Sequence, residues 1–178
     1  TIRALYHESA PELPSDEKAA DAAGSSGNSS SIDSSLSSNV SEYVSGMSNA
    51  QKLEYVIYIA QQQLGKKYVF GSAGTATFDC SGLTCYIFKA VGVKLERTAY
   101  NQGYDDSYEK IEGWQNLKRG DIVFFNTISD SDLSDHAGVY IGEGYFIHAS
   151  SGAHKVVVSS LASGLYNRVF SWGRRILK

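Results

Sequence analysis

Phe78-Asp79-Cys80-Ser81-Gly82-Leu83 is the stretch on which the reading of this 178-residue chain turns. A turn-rich run, Gly71-Ser72-Ala73-Gly74-Thr75, precedes it. After it Leu83, Tyr86, Ile87 and Ala90 recur at helical spacing, and Gly92 supplies a C-terminal stop. Cys80 is therefore expected in the first turn of a helix, where free backbone N–H groups and the helix dipole favour an anion. A thiol held there ionises more readily, and the thiolate is the form that attacks carbonyls. The ordinary alternative for a free cysteine is a small buried apolar residue.

Working outward, the length suits one well-formed core and is short for two typical domains. With 42% hydrophobic and 20% charged residues the chain reads as an ordinary soluble globular protein, and it has no apolar run long enough to span a membrane. No charged-then-apolar signal segment opens it. The net charge of −3 is uneven: residues 1–48 carry two basic and seven acidic groups, and residues 49–178 carry fourteen and twelve. A domain near +2 without a basic stripe is a poor nucleic-acid binder, so that class of function is set aside. Cys80 and Cys85 are five positions apart, about 140° around a helix, and cannot bridge each other. Neither Cys-x-x-Cys nor His-x₃-His spacing is present, so no structural metal and no cofactor is expected.

Residues 1–23 are polar and acidic, and residues 24–41 hold ten serines. That composition cannot bury enough apolar surface to offset its ordering entropy. Residues 1–47 are accordingly read as an acidic, serine-rich tail and linker, the flexible part spanning roughly 23 Å. The tail either tethers the domain, in which case its removal leaves turnover unchanged, or docks as a pro-segment. The folded domain is expected over 48–178. Ser48-Asn49-Ala50-Gln51 has the form of a capping box, and Leu53, Val56, Ile57, Ala60 and Leu64 mark one helix face ending at Gly65. Lys67 to Gly71 is a brief extended lead-in, the Cys80 helix follows, and Lys94 to Leu117 is loop-rich. After Arg119-Gly120-Asp121 come short β runs: Ile122 to Phe125, His136 to Ile141, Tyr145 to Ala149, Lys155 to Val158 and Val169 to Arg175. Helices first and antiparallel strands second make an α+β layout.

The hairpin over 136–149 places two histidines. Gly142-Glu143-Gly144 fits a three-residue loop, which pairs Ile141 with Tyr145. His148 then opposes Gly138, and His136 and His148 share one face as diagonal neighbours, together with Tyr140 and Phe146. A two-residue loop puts the histidines on opposite faces. Taken singly, each is an ordinary half-buried sheet histidine. Together, beside a cysteine at a helix start, they form the kit for thiol catalysis: His136 as proton carrier, His148 as the group that orients it.

Several separated motifs resemble the NlpC-type cell-wall cysteine peptidases. They are Tyr68-Val69-Phe70-Gly71, Phe78 to Leu83, Arg97-Thr98-Ala99 with Gln102, Leu117 to Asp121, His136 to Gly142, and Phe146 to Ala149. The likeness runs from about Ala50 to Arg175. It implies a compact papain-like α+β domain, with N-terminal helices packed on an antiparallel sheet. It also implies a Cys80-His136-His148 triad and substrate-binding roles for Tyr68, Asp79, Ser81 and Arg97. The implied substrate is bacterial peptidoglycan, cut in its stem peptides between D-γ-glutamyl and the following diamino acid. A monomer acting outside the cell or in the wall is the matching expectation. Two departures stand out: Gly71-Ser72 replaces a glycine pair, and Glu96 replaces a proline. The rivals are a thiol amidase cutting the sugar–peptide bond and a non-catalytic wall-binding module. Asp79 carries two readings, a helix cap and a fixed anion that receives the free α-amine of a stem peptide.

Overall fold

The structure is a computed structural model that describes residues 42–128 and 134–178; the expectations about residues 1–41 lie outside the described residues. Helix α1 (Asn49–Gln62) starts at the expected capping box: Ser48 Oγ accepts from Gln51 N–H, and Gln51 Oε1 accepts from Ser48 N–H at 2.8 Å. It buries Val56, Ile57 and Ala60, and Val44 ahead of it joins the same core. Helix α2 (Cys80–Lys89) is capped by Asp79, whose Oδ1 accepts from Gly82 N–H at 2.7 Å, and it buries Leu83, Ile87 and Phe88.

The strands are β1 (Lys67–Tyr68), β2 (Thr77–Phe78), β3 (Glu109–Ile111), β4 (Ile122–Phe125), β5 (His136–Gly142), β6 (Tyr145–Ser150), β7 (Lys155–Ser160) and β8 (Phe170–Arg175). They form one curled sheet in the order β2-β1-β7-β6-β5-β4-β8-β3. Every pairing is antiparallel except β1 with β2, which is parallel. The region expected to be loop holds three elements, helix α3 (Ala99–Tyr104), the edge strand β3 and a single 3-10 turn at Trp114–Asn116. Each is too short to show a period of its own. A further helix, α4 (Gly164–Val169), leads into β8.

Alternation along the strands divides the interior in two. Ile122, Phe124, Ala137, Val139, Ile147 and Ala149 face α1 and α2. Val123, Phe125, Tyr140 and Phe146 face the other way, against Leu161, Tyr166, Val169 and Phe170. All four residues of β4 are buried for this reason.

The β5–β6 turn reaches the expected register by a different route. Gly142 pairs with Tyr145, so the loop has two residues, Glu143 (φ 52°) and Gly144 (φ 79°). Positive φ at both positions gives the twist a two-residue hairpin needs. Alone, that loop would set the histidines on opposite faces. A bulge between Tyr140 and Gly142 absorbs one residue, and Tyr140 pairs with Phe146, Val139 with Ile147. The register is the one a three-residue loop produces. Gly138 therefore lies across from His148. A Cβ added there would sit 2.7 Å from Phe146 Cδ2, 2.9 Å from the Ile147 carbonyl oxygen and 3.1 Å from His148 Cβ.

Among the described residues no helix is long and apolar enough to cross a membrane. The Gly138 contact generates a test of the register. Gly138→Ala should destabilise the domain by about 1–3 kcal/mol, the usual cost of overpacking, read as a lower thermal midpoint. An unchanged midpoint would contradict the close approach of β5 to β6.

Candidate active site

The site is built where the N-terminus of α2 abuts β5. Gly82 permits the approach: a Cβ on it would lie 2.1 Å from the Ser72 carbonyl oxygen and 2.8 Å from Asp79 Oδ1. Asp79 N–H donates to that Ser72 carbonyl at 2.8 Å, which pins the turn before the helix. Cys80 opens α2 with its sulfur facing three backbone N–H groups, those of Ala137, Ser81 and Cys80 itself. These donors favour the thiolate, as the helix start suggested. Burial opposes them and wins, pushing the Cys80 thiol up, with the Asp79 charge adding to the effect. The expectation of a readily ionised thiol is thus reversed: the cost of desolvating an anion exceeds what three N–H groups return.

Ala137, which aims its N–H at the sulfur, directly follows His136 on β5. His136 Nε2 lies 2.8 Å from His148 Nδ1, with the rings nearly perpendicular at 87°. The bond occupies Nε2 of His136 and leaves Nδ1 for another partner. His148 is wholly buried, stacked on Phe146 at 4.7 Å between ring centroids, and its Nε2 lies 2.9 Å from Ser159 Oγ. His136 packs beside the rings of Phe125 and Tyr166, which also touch each other. Desolvation lowers His136 to about 4, against a smaller opposing pull from the Asp135 charge. His148 is held well below the usual histidine range, by desolvation first and by His136 second. Thiol and imidazoles are therefore all neutral near pH 7.

The structure gathers Asp79, Ser81 and Arg97 into one cluster. Arg97 donates from Nη2 to Asp79 Oδ2 at 2.7 Å, and from Nη1 to Asp79 Oδ1 and Ser81 Oγ at 3.1 Å each. Gly71 N–H adds a fourth backbone or guanidinium donor to the carboxylate at 2.9 Å, beside the Gly82 cap. Asp79 is only 6% exposed. Its lone pairs are taken. Gln102 holds the segment carrying Arg97, donating from Nε2 to the carbonyls of Ser81 and Glu96 and accepting from Thr84 Oγ1. Tyr68 lies near the same place, its phenol pushed up by burial and then by the Cys80 and Asp79 charges. Cys85 is separate: its thiol donates to the Glu96 carbonyl and receives Gln102 Nε2. Among the described residues no three His, Cys, Asp or Glu side chains converge as a metal site requires.

Two contributors escaped the sequence reading. Tyr166 on α4 packs against His136, His148, Phe125 and Phe146, with its hydroxyl bonded to Ser150 and close enough to feel the Cys80 charge. It arrives from a six-residue helix with no local pattern to announce it. Ser159 was readable in principle. Extending the pairing across the β6–β7 hairpin sets Val157 opposite His148 and Ser159 opposite Phe146, on the histidine face.

Comparison with known proteins finds relatives and structural neighbours of the chain. The probable endopeptidase YafL of Escherichia coli is 40% identical over 126 residues, 70% of this chain and 50% of YafL. The murein DD-endopeptidase MepH of the same organism is 36% identical over 118 residues, 65% of this chain and 43% of MepH. The gamma-DL-glutamyl hydrolase of Bacillus subtilis is 39% identical over 122 residues, 67% of this chain and 28% of that protein. The chain thus spans half or less of the length of these relatives. Among solved structures, the peptidoglycan hydrolase RipB of Mycobacterium tuberculosis matches with a TM-score of 0.62 at 25% identity, covering 85% of this chain and 88% of RipB. The NlpC/P60 family model matches residues 65–175, well over half the chain, and the protein therefore belongs to the NlpC/P60 family.

Proposed function

We propose that the chain is a cell-wall cysteine endopeptidase in which Cys80 is the nucleophile, His136 the general base and acid, and His148 the group that orients His136. The observation that carries this reading is the 2.8 Å His136–His148 bond beside Ala137, whose N–H faces the Cys80 sulfur. With thiol and imidazole both neutral at rest, the proton moves as the bond forms. Cys80 Sγ attacks the scissile carbonyl carbon while its hydrogen passes to His136 Nδ1. The imidazolium returns that proton to the leaving amine as the C–N bond breaks, and a thioester remains on Cys80. Water, deprotonated by His136, then attacks the thioester and releases the acid and the thiol. The N–H groups facing the sulfur lower the cost of its developing charge.

The proposed substrate is the peptidoglycan stem peptide, and the proposed bond is the one between D-γ-glutamyl and the diamino acid. The motif resemblance supports that bond, and the name of the Bacillus relative, a gamma-DL-glutamyl hydrolase, supports its γ-glutamyl side. The name of MepH points to a D,D-bond in murein. Digestion of purified peptidoglycan with product masses separates the cases. A γ-glutamyl cut leaves L-Ala-D-Glu on the sugar, a D,D-cut resolves cross-linked dimers, and an amidase frees whole stem peptides. A non-catalytic module releases nothing. The reading places the protein as a monomer in or on the wall.

Asp79 is a poor receptor for a substrate amine, because Arg97 already neutralises it and its oxygens are occupied. The proposal therefore assigns Asp79 to capping α2 and Arg97 to holding Asp79 and Ser81. Recognition by Tyr68 and the open part of the Arg97 guanidinium remains compatible with that assignment.

Three outcomes follow from these arguments. Cys80→Ala and His136→Ala should each lower kcat by about 10³-fold or more, the double variant being little worse, because nucleophile and base act as a unit. Turnover at the wild-type rate in either would sink the mechanism. The acid limb of kcat/KM should fall at about pH 4, where His136 gains its proton; a limb at the ordinary histidine value would contradict a desolvated base. Free and N-acetylated L-Ala-γ-D-Glu-diamino-acid peptides should be cut at rates within about twofold of each other. A loss on acetylation of roughly 10-fold or more, the scale of a charge-assisted hydrogen bond, would restore Asp79 as an amine receptor.

A further inference from the structure

The histidine pair has a third member. His148 Nδ1 faces His136 Nε2 at 2.8 Å, and on the opposite side of the ring His148 Nε2 lies 2.9 Å from Ser159 Oγ. His148 is wholly buried, and Phe146 and Tyr166 cover its ring. Ser159 sits on β7, half-buried, two residues along from Val157, the strand partner of His148, and so on the same face. A buried ring nitrogen in this setting must find its partner within the protein.

Counting hydrogens fixes what Ser159 has to do. A neutral imidazole carries one N–H, so only one of two facing ring nitrogens bears the hydrogen that joins them. In one arrangement His136 Nε2–H donates to His148 Nδ1. His136 Nδ1 is then bare and able to take a thiol proton, and His148 carries its own hydrogen on Nε2. In the other, His148 Nδ1–H donates to His136 Nε2, which forces a hydrogen onto His136 Nδ1 and disarms it. Once His136 is an imidazolium only the first arrangement exists. At that moment His148 must present Nε2–H to an acceptor, and the atom in reach is Ser159 Oγ.

We propose that Ser159 is a positioning residue of the reaction: by accepting the His148 Nε2–H it keeps His148 Nδ1 bare toward His136 and so keeps His136 able to act as base. The inference rests on the triad reading given above. The ionisable groups around the pair leave this role to Ser159. His136 faces Asp135, Tyr166 and His148, and His148 faces His136, Tyr166 and Ser159. The Asp135 carboxylate is occupied by the Thr127 and Ile128 N–H groups and the Thr127 hydroxyl. The Tyr166 hydroxyl is directed to Ser150.

The test uses three variants of the full chain with a defined stem peptide, each checked by thermal melting. Thr and Val have nearly the same shape and both suit a strand, but Val offers no acceptor. Ser159→Val should lower kcat by about 5- to 150-fold, the effect of an orphaned buried N–H, with KM and melting little changed. Ser159→Thr should keep the wild-type kcat. Ser159→Asp, an acceptor that also carries charge, should raise the acid limb of kcat/KM by one pH unit or more by stabilising the imidazolium. Wild-type kcat in Ser159→Val would overturn the proposal. So would an equal loss in Ser159→Thr, which would make the site one of packing, or an acid limb unmoved in Ser159→Asp. These results are separable from failure of the triad itself: an active Cys80→Ala or His136→Ala would remove the triad, whereas inactive Cys80→Ala and His136→Ala beside a wild-type Ser159→Val would remove only the role of Ser159.

Discussion

Across the β5–β6 hairpin, Gly138 faces His148 with no room between them for even a methyl group. That close approach depends on the Tyr140–Gly142 bulge, which compensates for a two-residue turn and returns the strands to the pairing that sets both histidines on one face. The same pairing turns Ala137, Val139 and Ile147 toward α1 and α2. A slip of one residue would turn the histidines against the helices and the small and branched set of β5 and β6 into the second core, where Phe125, Phe146 and Leu161 already pack. The hydrophobic core thus enforces the register, and the register assembles the histidine pair. Gly82 does the corresponding service for α2, letting the helix start lie against the Ser72 carbonyl so that Cys80 meets the beginning of β5.

Electrostatics in this corner are governed by desolvation more than by the helix end. Three backbone donors face the Cys80 sulfur, yet burial holds the thiol in its neutral form. The same dryness keeps His136 and His148 neutral. The account therefore has no standing thiolate–imidazolium pair. In the proposed mechanism charge separates only when a substrate carbonyl arrives, and the fixed N–H groups and the His148–Ser159 hydrogen bond meet it there. Asp79, next in sequence to Cys80, adds a negative charge that Arg97 offsets. Exposed at 44% on its side chain, Arg97 keeps one flank in solvent while its fork closes on Asp79.

Much of this was legible from residue order. The capping box at Ser48, the cap and face of the Cys80 helix, the five main β runs and the His136–His148 face all follow from local periodicity and turn chemistry. The hairpin shows the limit of such reasoning: its register came out as read, although the loop has two residues and a bulge, because burial of the apolar face fixes the pairing whichever turn delivers it. Three other features depend on distance through space, which the order of residues does not carry. Tyr166 reaches the histidines from a helix eighteen positions beyond His148. Arg97 crosses eighteen positions to saturate Asp79. The neutral thiol reflects how deeply the assembled layers cover it, a quantity absent from any single helix start.

The most direct measurement is graded alkylation. The protein is treated at alkaline pH, where the thiolate fraction of a raised thiol grows, with substoichiometric iodoacetamide for increasing times. Each sample is divided between a peptidoglycan digestion assay and a peptide map that quantifies modification at Cys80 and Cys85. The account predicts that residual activity falls in a straight line with the fraction of Cys80 modified and reaches zero when that fraction reaches one, whatever the state of Cys85. Activity that persists with Cys80 fully alkylated, or that disappears in step with Cys85 instead, would contradict it.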